Sequence, residues 1–383
     1  MPFSALHDAL TALDEKGLRR QRRTLDAAQS AHVTVDGKKY LAFCSNDYLG
    51  LANHPALIAA AKEGANTYGV GAGASHLVLG HSRAHEALEQ QLAAFVQLPR
   101  ALLFSTGYMA NLGIVTALMG REDAVFADRL NHASLNDACL LARAQFKRYA
   151  HNDVAQLEQL LASTKARRKL IVADAVFSMD GDIAPVPELL ALAERHDAWL
   201  LLDDAHGFGV LGAGGRGVLE HFKLRHPRII YMATLGKAAG VFGAFVAADP
   251  AVIETLMQRA RTYIYTTAMP PLLACAASKS IDLIAAGTPL RQQLAENIIQ
   301  LKQILTSNLP MGWRLLPSIT AIQPLVIGDN NAAMAAAEQL AARGVLVPAI
   351  RPPTVPPGSA RLRISLSAAH TADDVRRLCE ALH

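Results

Sequence analysis

Six short, uninterrupted apolar runs recur between residues 101 and 248: "ALLFS" (101–105), "AVFA" (124–127), "KLIVAD" (169–174), "WLLLDD" (199–204), "IIYMAT" (229–234) and "GAFVAA" (243–248). Most are separated by stretches long enough for a crossover helix. A strand apolar on both sides must be buried on both faces. The runs therefore predict an α/β architecture, a mainly parallel sheet with helices on either side. An aromatic content of 5% and an apolar content of 51% fit a helix-rich enzyme better than an all-β module.

The flanks of this region follow other rhythms. Leu6, Leu10 and Leu13 recur at helical spacing, and "AHVTVDGKKYLAF" reads as a hairpin around Asp36-Gly37. Beyond a helical region around 270–305, the chain spells strand, helix, strand, strand, helix. The first of these helices ends at Gly344, and the last starts behind a Thr371–Asp374 cap. The expected division is an arm (1–47), a large domain (48–288) and a small α+β domain (289–383).

A formal charge of +4, without basic residues interleaved among aromatics, does not suggest a nucleic-acid binder. The one dense basic cluster, "LRRQRR" (18–23), reads either as a solvated helix end or as an anchor for a phosphorylated or carboxylated substrate. Cys44, Cys139, Cys275 and Cys379 are far apart and form no CxxC pair, so neither a disulfide framework nor a zinc site is expected. The N-terminal residues lack the apolar segment of a secretory signal, and charges interrupt every alanine-rich stretch before it could span a membrane. The expected location is the cytoplasm, with no membrane partner.

Ligands of open parallel sheets sit beyond the carboxyl ends of the strands, so the residues following each run carry most information. Thr106-Gly107-Tyr108 opens a helix after the first run, a natural phosphate site. Asn131-His132-Ala133-Ser134 follows the second, and Ser178-Met179-Asp180-Gly181-Asp182 the third. Asp203-Asp204-Ala205-His206 ends the fourth, and "TLGKAAG" places Lys237 after the fifth.

Three chemistries compete for the aspartates. A metal site needs Asp203, Asp204 and His206 to converge, but neighbours on an extended strand point to opposite faces. A nucleotide site needs a P-loop, yet Tyr231 stands where its first glycine belongs and Ala238 follows the lysine in place of Ser or Thr. The third chemistry is that of pyridoxal phosphate. It needs a lysine whose pKa is depressed by an apolar surround, an aspartate facing the pyridinium nitrogen, a histidine near the ring, and a phosphate cradle. Lys237, Asp203 and, for the phosphate, Gly107, Tyr108 and Thr234 supply that set in order, at strand ends.

With "FCSNDYLGL", "NHAS", "VFSMDGD", "DDAHGFGVLG", "TLGKA" and "RPPTVPPGSARLRISLSAAHT", the chain resembles the α-oxoamine synthases nearly end to end. These are pyridoxal-phosphate enzymes of the aspartate aminotransferase fold type. The resemblance implies a seven-stranded large domain and a homodimer with a shared active site. Lys237 would bond the cofactor covalently, Asp203 would pair with the ring nitrogen, and His132 would stack on the ring and adjoin the substrate. His206 and Ser178 would hydrogen-bond its phenolic oxygen, and Thr266 or Thr267 would reach the phosphate of the other subunit's cofactor. Arg363, helped by Asn46, would take the amino-acid carboxylate, and Arg19, Arg351 and Thr354 would contact the acyl substrate. "DDAHG", "YTTAMPP" and "AIRPPTVP" are most similar to members that condense L-alanine with a pimeloyl thioester on coenzyme A or a carrier protein. Members that use glycine or serine are the alternative.

Overall fold

The computed structural model describes residues 2–16, 18–20 and 22–383, so Gln21 of the basic cluster lies outside the described residues. Strands β1 (His32–Val35) and β2 (Lys38–Ala42) form the expected antiparallel hairpin. Its turn residues, Asp36 and Gly37, have φ of 48° and 75°, as a tight two-residue connection demands.

The large sheet comprises β3 (Arg100–Phe104), β4 (Ala124–Asp128), β5 (Gln145–Tyr149), β6 (Lys169–Asp174), β7 (Ala198–Asp203), β8 (Ile229–Thr234) and β9 (Ala244–Ala248). Their order is β3-β9-β8-β7-β6-β4-β5, with only β9 antiparallel to its two neighbours. Alternate residues feed two cores. Phe126, Ile171, Leu200, Leu202 and Phe245 point to one side; Val125, Val172, Leu201, Ile230 and Val246 point to the other. Each such side chain, fully withdrawn from water, contributes roughly 1.5–3 kcal/mol. All six apolar runs are strands, and the seventh, "QFKRY", lies at the sheet edge with part of its surface open to solvent.

The C-terminal lobe holds β10 (Arg314–Leu315), β11 (Ile322–Gly328), β12 (Val345–Leu346), β13 (Ala349–Ile350) and β14 (Ala360–Ser365). Four of them form an antiparallel sheet, β10-β11-β14-β13. The fifth, β12, pairs in parallel with β2, so the N-terminal hairpin is completed by a strand from the other end of the chain. The helix Asn330–Ala342 ends just before Gly344, whose φ is 76°. Thr371 and Asp374 form the expected capping box. Leu6, Leu10 and Leu13 do lie on a helix, Ser4–Glu15, but no residue of that helix is buried. No helix among the described residues is long and apolar enough to cross a membrane.

Candidate active site

A cavity of about 190 Å³ opens at the carboxyl ends of the parallel strands. Gly107, Tyr108, His132, Ser178, Asp203, His206, Thr234 and Lys237 all line it, joined by Ser134, Asp174 and Val176. The topology explains this convergence. β6, β7 and β8 are neighbours in register, so the residues just beyond them share one rim. The helix Gly107–Leu118 brings its amino end to the same rim, where the side chain of Thr106 caps it by accepting from the Met109 N–H at 3.1 Å.

Lys237 is half-buried among small neighbours. Burial pulls its amine down to about 8, against the opposing pull of Asp203 and Asp174. Its Nζ lies 2.7 Å from Nε2 of His206. Burial and then the nearby lysine hold His206 well below its ordinary value, so the ring is neutral.

Asp203 is fixed from two sides. The Asn111 amide donates to Oδ2 at 2.7 Å, and the Ala205 N–H donates to Oδ1 at 3.0 Å. Asp204 points to the opposite face, where it accepts from Val218 N–H at 2.7 Å and Tyr231 O–H at 2.8 Å. Its burial raises it to about 7 and makes it a clamp for the 204–218 turn rather than a second site carboxylate. Asp204 therefore cannot share a metal with Asp203.

His132 caps the helix Ala133–Leu141 through Nδ1, and its backbone N–H donates to Asp174 Oδ2 at 3.0 Å. The other Asp174 oxygen is buried without a partner. An amine of lowered basicity, a braced carboxylate, an orphaned buried oxygen and a helix amino end thus surround one small space. This donor set fits pyridoxal phosphate: Lys237 for its aldehyde, Asp203 for its ring nitrogen, and the helix end with Thr234 for its phosphate.

Arg363 stands next to this space. Its Nε donates to the Ser178 carbonyl at 2.6 Å, and its two terminal nitrogens donate to Asn46 Oδ1 at 3.2 and 3.3 Å. Thr354 lies on an adjoining cleft of about 770 Å³ that it shares with His132, Ser178, Arg129, Arg148 and the Pro352–Pro357 wall. Arg351 immediately precedes that wall but does not line it. Three of the expected residues lie away from both cavities of the single chain. Arg19 is ion-paired to Asp14 at 2.5 Å on the exposed arm, and Thr266 and Thr267 line neither cavity.

Asn111, Asp174 and Tyr48 escaped the sequence reading. Asn111 sits one helical turn beyond Gly107, so a search along that helix face would have found it. Asp174 closes its apolar run just as Asp203 closes the next, and the repeated ending was the available signal.

The family model described as aminotransferase class I and II matches residues 38–382. The chain is 64% identical to the 8-amino-7-oxononanoate synthase of Nitrosospira multiformis, over 98% of this chain and 94% of that protein. It is 62% identical to the protein of the same name from Methylobacillus flagellatus, over 100% and 96%. Among solved structures, a serine palmitoyltransferase from S. paucimobilis with PLP bound superposes with a TM-score of 0.92 at 32% identity, covering 100% of this chain and 96% of that one. An 8-amino-7-oxononanoate synthase from Francisella tularensis gives 0.79 at 31% identity, covering 90% and 96%.

Proposed function

The chain belongs to the aminotransferase class I and II family, within it to the α-oxoamine synthases, and from that premise we propose the reaction it performs. It condenses L-alanine with a pimeloyl thioester and releases carbon dioxide and the free thiol, forming 8-amino-7-oxononanoate for biotin. Relatives at about 60% identity along the whole chain support this acyltransferase reading. The observation that carries it is the Lys237 amine, lowered to about 8 inside a cavity that also holds Asp203, His132 and His206.

Pyridoxal phosphate, when bound, supplies an electron sink for the pair released at the amino-acid Cα. The protein does the rest. Lys237, lowered to about 8, keeps a fraction of free amine near neutral pH, and that fraction attacks and afterwards takes the Cα proton. Asp203, braced by two donors, would hold the ring nitrogen. His132, Ser178, Gly107, Tyr108 and Thr234 would hold the remaining edges of the cofactor. Arg363 and Asn46 offer a forked site for the alanine carboxylate. Thr354, Arg351 and Arg19 would contact the acyl chain, the mainly apolar cleft beside Thr354 giving it room.

We read the functional unit as a homodimer in which Thr266 or Thr267 serves the partner's phosphate, which accounts for their distance from this chain's own cavity. We read residues 1–47, 48–288 and 289–383 as N-terminal arm, large cofactor-binding domain and small C-terminal α+β domain. Four cysteines without disulfides fit a cytoplasmic location.

The test is direct. The purified protein should be yellow, borohydride should fix the chromophore to Lys237, and alanine should perturb its spectrum. A colourless protein indifferent to added cofactor would end this reading. A response to glycine or serine but not alanine would move it to another member of the same family.

A further inference from the structure

A line of hydrogen bonds runs from Lys237 to Arg363 through three side chains. Lys237 Nζ meets His206 Nε2 at 2.7 Å, and His206 Nδ1 meets Tyr48 Oη at 2.6 Å. Tyr48 Oη meets Asn46 Oδ1 at 3.0 Å, and both terminal nitrogens of Arg363 reach the same Asn46 oxygen. Tyr48 is fully buried.

The donor directions follow from one end. A guanidinium only donates, so Asn46 must present its carbonyl oxygen to Arg363. An oxygen that only accepts requires Tyr48 to donate its single hydroxyl proton there. The tyrosine oxygen is then left as an acceptor for His206, so Nδ1 must carry the ring proton. In a neutral imidazole the other nitrogen is bare, and Nε2 turns its lone pair to the lysine.

We propose that Tyr48 is a positioning residue that sets the tautomer of His206, with Asn46 and Arg363 fixing the direction of its hydroxyl. The proposal rests on the reading of Lys237 as the reactive amine and adds two things to it. Nε2 of His206 is a ready acceptor for a proton leaving Lys237. The residues that take the substrate carboxylate are connected to that acceptor, so a change of partners at Asn46 and Arg363 is felt at the lysine. Without Tyr48 only the Lys237 contact at Nε2 is left to favour the Nδ1–H form, and an imidazole in water favours the Nε2–H form.

The experiment reads the tautomer itself. The full-length chain, stripped of cofactor and labelled with ¹⁵N-histidine, is measured by long-range ¹H–¹⁵N correlation, with His206 assigned by its loss in His206→Asn. The expected wild-type spectrum has a protonated Nδ1 and a bare Nε2. In Tyr48→Phe the ratio of the two forms should fall about fivefold or more, the worth of one buried hydrogen bond. Asn46→Ala frees the Tyr48 hydroxyl to turn toward Nδ1 and should move the ratio the same way, which keeps the test alive if Tyr48→Phe does not fold. A protonated Nε2 in the wild-type chain overturns the proposal, as does an unchanged ratio in a folded variant. Because no substrate is added, the outcome does not depend on which amino acid or thioester the enzyme uses. An Nε2–H ring in a protein that turns over alanine would remove this proposal alone, and a correct tautomer in a protein that does not would remove only the reaction.

Discussion

Asp174 and Asp203 pair in register at the ends of two adjacent parallel strands, so two carboxylates share one rim of the cavity that holds Lys237. They are not equivalent. Asp174 is enclosed, and burial followed by the charge of Asp203 pushes it well above the usual carboxylate range. Of the two, Asp203 alone has a donor on each oxygen, from Asn111 and from the Ala205 N–H.

Asp203→Asn should therefore keep the fold and lose chemistry. A neutral amide cannot hold a positive ring nitrogen, and we expect kcat to fall by roughly 10²–10³, the scale of removing one preorganised electrostatic partner. Steady-state turnover beside cofactor absorbance checks it. Loss of less than a few-fold would mean that Asp174 carries the charge instead.

Arg363→Lys should raise KM for the amino acid roughly 10- to 100-fold with a smaller change in kcat, because an ammonium cannot reproduce the fork to Asn46 and the bond to the Ser178 carbonyl. Comparing saturation curves for alanine and for the thioester is the measurement. An equal rise for both would place Arg363 outside the carboxylate site.

Not all of this was readable along the chain. Lys237, Asp203 and His206 announced themselves because a charged residue at the end of an apolar strand demands a reason. Asp174 obeys the same rule, but its importance depends on lying beside β7, and strand order is not written in any local pattern. "QFKRY" was passed over because an edge strand can stay polar on the side it turns to water. Arg19 belongs to a basic run in which nothing local distinguishes one arginine from the next, and its one ion pair, with Asp14 five residues away, is exposed on both sides.

In the cofactor-free chain, Lys237→Met should stabilise the fold at pH 7. Burial lowers the folded pKa to about 8 from 10.5, so the unfolded chain binds the proton more readily, and the penalty is full below pH 8. It amounts to roughly 3 kcal/mol and fades as pH rises from 8 toward 10.5. Urea midpoints of both proteins at pH 7 and at pH 10 test this. A variant no more stable than its parent at pH 7 would contradict it.

His151→Gln should show the opposite pH trend. Burial lowers the imidazole's affinity for its proton, but Asp128 and Asp182, at 3.1 and 2.9 Å, override this and hold it at about 10. The stabilisation is fully present below pH 6.5 and is lost as pH rises through 10. The variant should be roughly 2 kcal/mol less stable at pH 6, with the difference closing at high pH. Thermal melts across that range measure it.

The parallel pairing of β2 with β12 has a consequence for how the protein is made. Leu41 and Phe43 donate their backbone N–H groups to Gly344 and Leu346, partners that leave the ribosome some three hundred residues later. Until then one edge of the hairpin stands open, and Asn46 and Tyr48, just beyond it, have no Arg363 to face. The large sheet can consolidate during synthesis, since all its strands but β3, which waits for β9, pair with strands close to them in sequence. The catalytic centre cannot. It is assembled in a late step that joins the two ends of the chain, so a ribosome that stalls before β12 releases a protein with a formed cofactor domain and no competent site.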